Sequence, residues 1–187
     1  MPDAIVLLRD DHKTVEKLFT QFEKLVKDDA TPSRKRTVVD QIIEELSVHA
    51  AVEEQHFYPA VRDRCEDLDD TVLEGLEEHH VVKWTLSELV DLPADHERFD
   101  AKVTVLIESV RHHVEEEESE MFPLVREAMG RKALRELGDA LVEAKASAPT
   151  RPHPKAPDEP PGNLVAGAGA KVVDLTEKAA RKVRAKR

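Results

Sequence analysis

The sequence has a single cysteine and no long apolar run, and each shortage excludes a class of protein. With Cys65 as the only thiol, no disulfide can form within the chain, and this residue is expected to be structural or incidental. Without a long apolar run, no membrane-spanning helix is predicted. The first residues also lack the basic and then apolar layout of a secretory signal. We therefore predict a cytoplasmic protein without a membrane span.

Aromatic side chains are scarce as well, and charged ones are abundant. Aromatics make up 4% of the 187 residues and charged residues 36%, which suits long solvated helices better than a β-sandwich. The formal net charge of −11 argues against nucleic acid as a partner of the main body. A chain of this length has room for one ordinary domain with a full core, plus an appendage.

The acidic balance reverses towards the carboxyl end. Residues 146–187 carry nine Lys and Arg against four Asp and Glu, and residues 147–162 include six prolines. We predict a main body over 1–146, followed by a Pro/Gly-rich linker and basic tail over 147–187. The tail is expected to be solvated, although its apolar positions also allow a weakly amphipathic helix on an acidic partner or an anionic surface. The sequence does not identify that partner.

Apolar residues recur in steps of three and four along four segments, the spacing of amphipathic helices. The first helix is predicted to begin after an N-cap at Asp3 and the second at Thr31-Pro32. The third is predicted over about 70–91, the fourth from near Asp95 to Gly130, and a shorter fifth over 131–146. Short turns between such helices are typical of bundles. The predicted fold is all-α, an antiparallel up-down four-helix bundle with a short fifth helix and a flexible C-terminal tail.

Polar residues interrupt the apolar faces where core residues are expected. The face of the first segment runs through Ile5, Leu8, His12, Val15, Phe19, Phe22 and Val26. The remaining interruptions lie on the other three segments and are His49, Glu53, His79, His113 and Glu117. A buried polar group needs a partner, so these six side chains are expected to meet one another or a bound ion.

The chain also repeats itself. His49, Glu53 and Pro59 return 64 residues later as His113, Glu117 and Pro123, and the lone histidines His12 and His79 are 67 residues apart. A repeated helix pair brings its equivalent positions face to face. Each proline removes a helical hydrogen bond, so a kink or a helix end is predicted at both prolines.

The repeated spacing suits a metal site. Residues i and i+4 share one helix face, so each His-x-x-x-Glu pair presents a nitrogen and a carboxylate to one point. The two lone histidines add one nitrogen each, and a carboxylate placed between two cations can bridge them. Nitrogen and oxygen ligands without a thiolate fit iron, manganese or zinc, and also cobalt and nickel. The alternative to a metal site is purely structural: the histidines would be hydrogen-bonded core residues, and the glutamates over 115–118 a solvated face. This explanation would have to apply to both His-x-x-x-Glu pairs and both lone histidines at once.

The order His, His-x-x-x-Glu, His, His-x-x-x-Glu over residues 4–128 resembles the hemerythrin-like, HHE cation-binding family. Myohemerythrin is an up-down four-helix bundle, so the resemblance implies that architecture for 1–146. It further implies two non-haem iron ions joined by an oxo or hydroxo bridge. The implied iron ligands are His12, His49, His79 and His113, with Glu53 and Glu117 as bridging carboxylates.

Two departures from oxygen-carrying hemerythrins change the expected chemistry. Their fifth histidine, four residues after the third-helix ligand, is replaced by Lys83, or by Trp84 if His80 were the ligand. Their bridging aspartate lies five residues after the last histidine, whereas Glu117 lies four after it. The resemblance therefore implies a more open site, less suited to reversible oxygen storage. His56, Tyr58 and His80 are candidates to complete it, and Glu54, Glu118 and His56 are candidates to handle protons.

Two functions from different classes follow. The first is a non-haem di-iron protein that reacts with hydrogen peroxide, nitric oxide or oxygen, with peroxide disproportionation or reduction as a possible enzymatic activity. The second is an iron or oxygen sensor without turnover, in which the basic tail contacts a partner. Iron delivery to damaged iron–sulfur centres is less favoured, because relatives with that role carry a cysteine-bearing N-terminal module.

Overall fold

Helices form the whole framework of the part of the chain that this computed structural model describes, residues 2–157 with Pro160, Gly162 and Asn163. Six α-helices run as α1 Ala4–Lys27, α2 Pro32–Val52, α3 Tyr58–Arg64, α4 Asp69–Asp91, α5 Phe99–Glu116 and α6 Phe122–Ser147. Between them lie two π-helical segments, Glu53–Phe57 and Glu117–Met121, and a 3₁₀ turn, Glu66–Leu68. Within those residues there is no strand, and no helix has the length and apolar character to cross a membrane. The predicted basic segment over 171–187 lies outside the described residues.

Most helix ends follow from local sequence, with two corrections. Asp3 caps α1 by accepting a hydrogen bond from the backbone N–H of Val6 at 3.0 Å, as predicted. The fourth long helix begins at Phe99 and not near Asp95, because the residues before it form turns closed by backbone bonds such as Phe99 N–H to His96 O. At the end of α1, Val26 is exposed and Leu25 faces the core.

The prolines do not end the helices. Pro59 and Pro123 each lie near the start of an α-helix that directly continues a π-helical segment. The N–H of Tyr58 donates to the carbonyl of Glu53, five residues back, and Phe122 N–H does the same to Glu117. Each wider turn takes in one extra residue, and the chain continues as a single helical rod through both positions.

The buried residues form two apolar clusters separated by a polar layer. One cluster contains Leu8 of α1 and Leu76 of α4, and the other contains Val15 and Val82 of the same helices. The histidines His12 and His79 lie between these positions in sequence. The second and fourth rods cross the layer in the opposite order, from the second cluster to the first. This alternation is what an antiparallel up-down order requires, and that order stays a prediction.

The carboxyl-terminal half of α6 packs on the start of α1. The backbone of Gly130 has φ 69°, a left-handed conformation that turns the helix at the position where the sequence predicts an end. Beyond it, Leu134 and Leu141 are buried as predicted for the fifth helix. A methyl group on Gly138 would lie 2.7 Å from the carbonyl oxygen of Pro2, so this helix approaches the backbone before α1 closely.

Residues after α6 also contact the bundle. Ala148, Pro149 and Pro152 are buried. The side-chain amide of Asn163 donates to the carbonyl of Glu54 at 3.2 Å. The first part of the predicted linker therefore lies against the helices, and the rest of the predicted flexible tail, from residue 164 onward, falls outside the described residues.

Replacing Gly138 with Ala should lower the free energy of unfolding by about 1–3 kcal/mol, because the methyl group must displace the backbone at Pro2. Thermal or urea unfolding of the full chain measures this change. The matched control is Glu136→Ala, an exposed change on the same helix that should be nearly neutral. Equal or higher stability of Gly138→Ala would mean that α6 is not held against the start of α1.

Candidate metal centre

Six side chains from four helical rods meet in the polar layer. His12 comes from α1, His79 from α4, and the two remaining histidines from the last turns of α2 and α5. The carboxylates come from the first residues of the two π-helical segments, Glu53 and Glu117. None of the six is more than 6% exposed. The structure therefore brings together all six residues that the sequence predicts for the site.

The six side chains form two groups that share one carboxylate. In the first group, ligand-class atoms of His12, His49, Glu53 and Glu117 lie within 4.8 Å of one another. In the second, those of Glu53, His79 and His113 do. Glu53 Oε2 lies 3.0 Å from His49 Nε2 and 3.4 Å from His79 Nε2, so it stands between the groups.

Glu117 stands between the same two groups from the opposite rod. Its Oε2 lies 3.4 Å from His12 Nε2 and 3.6 Å from His113 Nε2. Nε2 of His79 and Nε2 of His113 are 3.2 Å apart, and both rings direct this nitrogen into the layer. Every inner histidine thus offers the same nitrogen, and each carboxylate can reach one histidine of either group.

Tyr58 also faces the site, on the side of the second group. Its hydroxyl donates to Glu117 Oε1 at 3.0 Å and lies 3.4 Å from His79 Nε2 and 3.5 Å from His113 Nε2. In a π-helical turn a residue five positions on comes back towards the same face, which aligns Tyr58 with Glu53. The small Gly75 of α4 leaves room, since a methyl group there would lie 3.1 Å from the hydroxyl.

The internal repeat places a phenylalanine, not a second tyrosine, beside the first group. Phe122 corresponds to Tyr58 and stacks parallel to His12, with ring centroids 5.8 Å apart. One group therefore has a phenol beside its histidines and the other a plain phenyl ring. This is the clearest chemical difference between the two halves of the site.

Each inner histidine also donates a hydrogen bond, from its Nδ1–H, to a carboxylate outside the layer. The four Nδ1–H donors and their acceptors are His12 with Glu118 at 2.9 Å, His49 with Asp11 at 3.4 Å, His79 with Glu54 at 3.1 Å and His113 with Glu78 at 2.6 Å. Ionised carboxylates only accept, so these contacts place a proton on Nδ1 and direct Nε2 into the inner layer. This is the outer arrangement typical of metal-binding histidines.

Three of these outer carboxylates form an ion pair with a Lys or Arg side chain. Arg9 pairs with Glu118 at 3.4 Å, Lys145 with Asp11 at 2.5 Å and Lys83 with Glu54 at 2.9 Å. The fourth carboxylate, Glu78, has no Lys or Arg within ion-pair distance among the residues that the structure describes. It lies instead in a group with His112 and Glu116, whose ligand-class atoms are within 4.8 Å of one another.

The inner groups perturb one another's protonation strongly. Burial alone would lower the pKa of His49, but the charge of Glu53 and the bond to Asp11 raise it to about 10. Burial likewise opposes charge on His113, and Glu117 and Glu78 raise its pKa to about 9. For Glu117, burial favours the neutral form, yet the positive charge of His113 and the nearby ring of His12 lower its pKa to about 2.

The other buried groups shift towards their neutral forms. Burial and the charge of Glu117 raise the pKa of Glu53. Burial and the charge of His113 hold the pKa of His79 well below its ordinary value. The hydroxyl of Tyr58 has its pKa raised well above the usual range by burial and by Glu117, so it stays a proton donor. Opposite shifts within one cluster mark a candidate functional site.

Protein hydrogen bonds do not satisfy the inner atoms. Within the described residues, five buried inner atoms lack a hydrogen-bond partner: Nε2 of His12, Nε2 of His49, both carboxylate oxygens of Glu53 and Oε2 of Glu117. An unsatisfied buried polar atom typically costs about 1–3 kcal/mol. Cations placed between nitrogen and oxygen donors would satisfy all five, and a donor set without sulfur suits iron, manganese or zinc. The residues present therefore fit two metal ions.

Of the three candidates to complete the site, only Tyr58 reaches it. His80 is exposed on the outer side of α4. His56 is half-buried and belongs to neither inner group of ligand-class atoms. Lys83 takes the place of the fifth histidine but turns to Glu54, where it donates at 3.0 Å.

Sequence reasoning missed the outer carboxylates as histidine partners. Glu54 and Glu118 were predicted to handle protons, and Asp11 and Glu78 were given no role. A signal was present, because each half of the repeat has an acidic residue directly before the lone histidine and a second glutamate directly after the pair. The outer carboxylates therefore occupy the same two positions in both halves, one directly before the lone histidine and one directly after the inner glutamate.

Comparison with known proteins agrees with this geometry. The family model "Hemerythrin HHE cation binding domain" matches residues 3–125. A solved structure of a hemerythrin HHE cation-binding domain-containing protein from Mycobacterium kansasii is similar with a TM-score of 0.65 and 21% identity, covering 78% of this chain and 86% of that one. At this identity the likeness concerns the fold.

Two curated proteins are similar in sequence. An uncharacterized hemerythrin-like protein of Schizosaccharomyces pombe is 28% identical over 136 residues, 72% of this chain and 67% of that protein. A DNA nickase of Nostoc is 29% identical over 120 residues, which span 64% of this chain but only 32% of the nickase. The prediction that the main body does not bind nucleic acid stays a prediction.

Replacing Asp11 with Ala should weaken metal binding by about 10–100-fold, the usual cost of removing an outer partner of a metal-binding histidine. The control is Asp10→Ala at the neighbouring exposed position, which pairs only with Lys13 on the surface and should leave affinity unchanged. Anaerobic competition for Fe²⁺ against a chromophoric chelator measures both variants. Equal affinities would show that the Asp11–His49 contact does not support the site.

Proposed function

The chain belongs to the hemerythrin HHE cation-binding domain family, and on that premise we propose that it is a non-haem di-iron protein reacting with hydrogen peroxide, nitric oxide or oxygen. One observation carries the proposal: two groups of ligand-class atoms share Glu53, with Glu117 in reach of both. His12 and His49 would hold one ion and His79 and His113 the other. The two glutamates would bridge the ions.

A small apolar cavity beside the four histidines supports a small ligand. It is bordered by side chains such as Val15, Leu46, Val82 and Val110, and its volume is about 20 Å³. Such a volume admits roughly one water-sized molecule. Its size fits oxygen, nitric oxide or peroxide. When bound, two iron ions would supply the electrons that such a ligand takes up, or accept the electrons that it gives.

The residues of this chain would manage the protons of that chemistry. Tyr58 keeps its hydroxyl proton and lies within 3.5 Å of the inward nitrogens of His79 and His113. Rotation of this hydroxyl away from Glu117 would let it donate a hydrogen bond to a ligand on that side, whereas Phe122 has no donor on the other. A proton donor beside an open position favours redox chemistry on a bound ligand over its reversible storage.

A sensing role without turnover is the second candidate, and one contact favours it. Asn163 donates to the backbone carbonyl of Glu54, and the side chain of Gln55 donates to the carbonyl of Asn163 at 3.4 Å. Glu54 in turn holds His79 and Lys83. A change of metal or ligand at His79 would thus be felt where the chain leads into the basic tail.

The decisive test compares His79→Ala with His80→Ala, neighbouring histidines of which one is buried and the other exposed. After anaerobic loading with Fe²⁺, the unmodified chain and His80→Ala should each hold two irons. His79→Ala should lose at least one, because its second group keeps a single histidine. Metal analysis gives the count, and absorption in the near ultraviolet after exposure to air reports an oxo bridge.

The same samples separate the candidates. Rapid loss of added peroxide that depends on iron content would support the reactive role, whereas a stable, reversible oxygen adduct without peroxide loss would support the sensor. Zinc bound in place of iron in protein isolated from cells, or two irons retained in His79→Ala, would contradict the di-iron assignment.

Replacing Tyr58 with Phe should keep two irons but slow peroxide loss at least about a hundredfold, the lower end of what a general acid contributes. The matched control is Phe122→Leu on the opposite side, which removes a ring but no proton donor. Stopped-flow measurement of peroxide consumption per iron compares the two. An unchanged rate for Tyr58→Phe would exclude the hydroxyl from the reaction.

A further inference from the structure

Glu78 differs from the other three outer carboxylates in what stands behind it. Arg9, Lys83 and Lys145 each neutralise one of those three. Glu78 accepts a hydrogen bond from Nδ1–H of His113 at 2.6 Å, yet it has no Lys or Arg partner among the described residues. A carboxylate that orients an inner histidine is thus left without a fixed positive charge.

Two metal-binding side chains occupy the position where that charge would be expected. His112 and Glu116 of α5 lie four residues apart on one helix face, and His112 Nε2 is 3.3 Å from Glu116 Oε1. An oxygen of Glu78 from α4 lies within 4.8 Å of both. One nitrogen and two carboxylate oxygens converge from two helices, which is the donor set of a mononuclear divalent-metal site.

The internal repeat shows that this group is not a by-product of the inner site. At the offset of 64 residues, the equivalents of His112 and Glu116 are Val48 and Val52. Those valines pack in the apolar cluster near α6. The first half of the repeat therefore has apolar side chains and Lys145 beside its outer carboxylate. The second half instead has His112 and Glu116, two side chains of types that bind metals.

We propose that Glu78, His112 and Glu116 form an outer site for a divalent cation, and that metal ions pass through it on their way to the buried centre. Mn²⁺, Fe²⁺ and Zn²⁺ suit one imidazole and two carboxylates. The side chain of His112 is 64% exposed and those of Glu116 and Glu78 are 37% and 26% exposed, so water completes the coordination and binding is reversible. Glu78 links the two sites, because it is also bonded to His113.

The binding part of the proposal does not depend on which metal the buried centre holds, whereas the passage part rests on the proposed function. Binding is tested by titrating Mn²⁺ into the iron-loaded full chain and following the signal of free Mn²⁺ by electron paramagnetic resonance. We expect one Mn²⁺ per chain beyond the buried metal. Loss of a direct ligand should cost at least the roughly tenfold that loss of an outer partner costs.

Three variants make that titration specific. His112→Ala and Glu116→Gln should each weaken Mn²⁺ binding by about tenfold or more. Glu115→Gln removes the same charge from the neighbouring exposed position, outside the group, and should bind as the unmodified chain does. Glu78 is left intact because it also supports His113. No bound Mn²⁺ in the unmodified chain, or equal loss in all three variants, would overturn the site.

Passage is tested by the rate of anaerobic Fe²⁺ uptake into metal-free full chain. His112→Ala should load severalfold more slowly than Glu115→Gln and still reach the same final iron content. An unchanged loading rate would overturn the passage role while leaving the outer site. Failure of every variant and of the unmodified chain to hold buried iron would instead reject the proposed function, and the Mn²⁺ titration would still decide the outer site.

Discussion

The cost of burying charge between two apolar clusters governs this structure. Ionisable groups that leave water without compensation are expensive, and five inner atoms find no hydrogen bond within the described residues. Successive layers of side chains offset the cost of burying these groups. The inner histidines donate hydrogen bonds to outer carboxylates, and three of those carboxylates form ion pairs with Arg or Lys. The innermost layer and the outer carboxylate Glu78 have no Lys or Arg partner within the described residues, and the chain belongs to a family of cation-binding domains.

The two π-helical segments, where the chain departs from regular α-helix, position the inner carboxylates. Glu53 and Glu117 each open a π-helical segment, and the proline that follows lacks the N–H that a regular helix would use. The extra residue in the turn lets a glutamate, and five positions later Tyr58, face the same layer. Further away, Gly138 allows α6 to approach α1, and the same helix carries Lys145 to Asp11.

Much of this was readable from the sequence. The inner histidines were predictable because His12 and His79 interrupt apolar faces at helical spacing. The π-helical segments were not, since Pro59 and Pro123 are equally compatible with a kink or a helix end, and only packing decides between them. The outer layer joins rods that are distant in the sequence, as Lys145 joins α1, so no local pattern encodes those pairs.

The two inner groups of ligand-class atoms have different side chains around them. A perfect repeat would surround both ions alike, but Tyr58 stands opposite Phe122 and Lys145 has no counterpart beside Glu78. On the first side, apolar cover and a fixed cation hold the histidines in place. The second side combines a proton donor inside with an acidic group open to solvent outside, around Glu116. The proposed outer site would therefore bring cations to the second half of the centre, where Glu78 contacts His113.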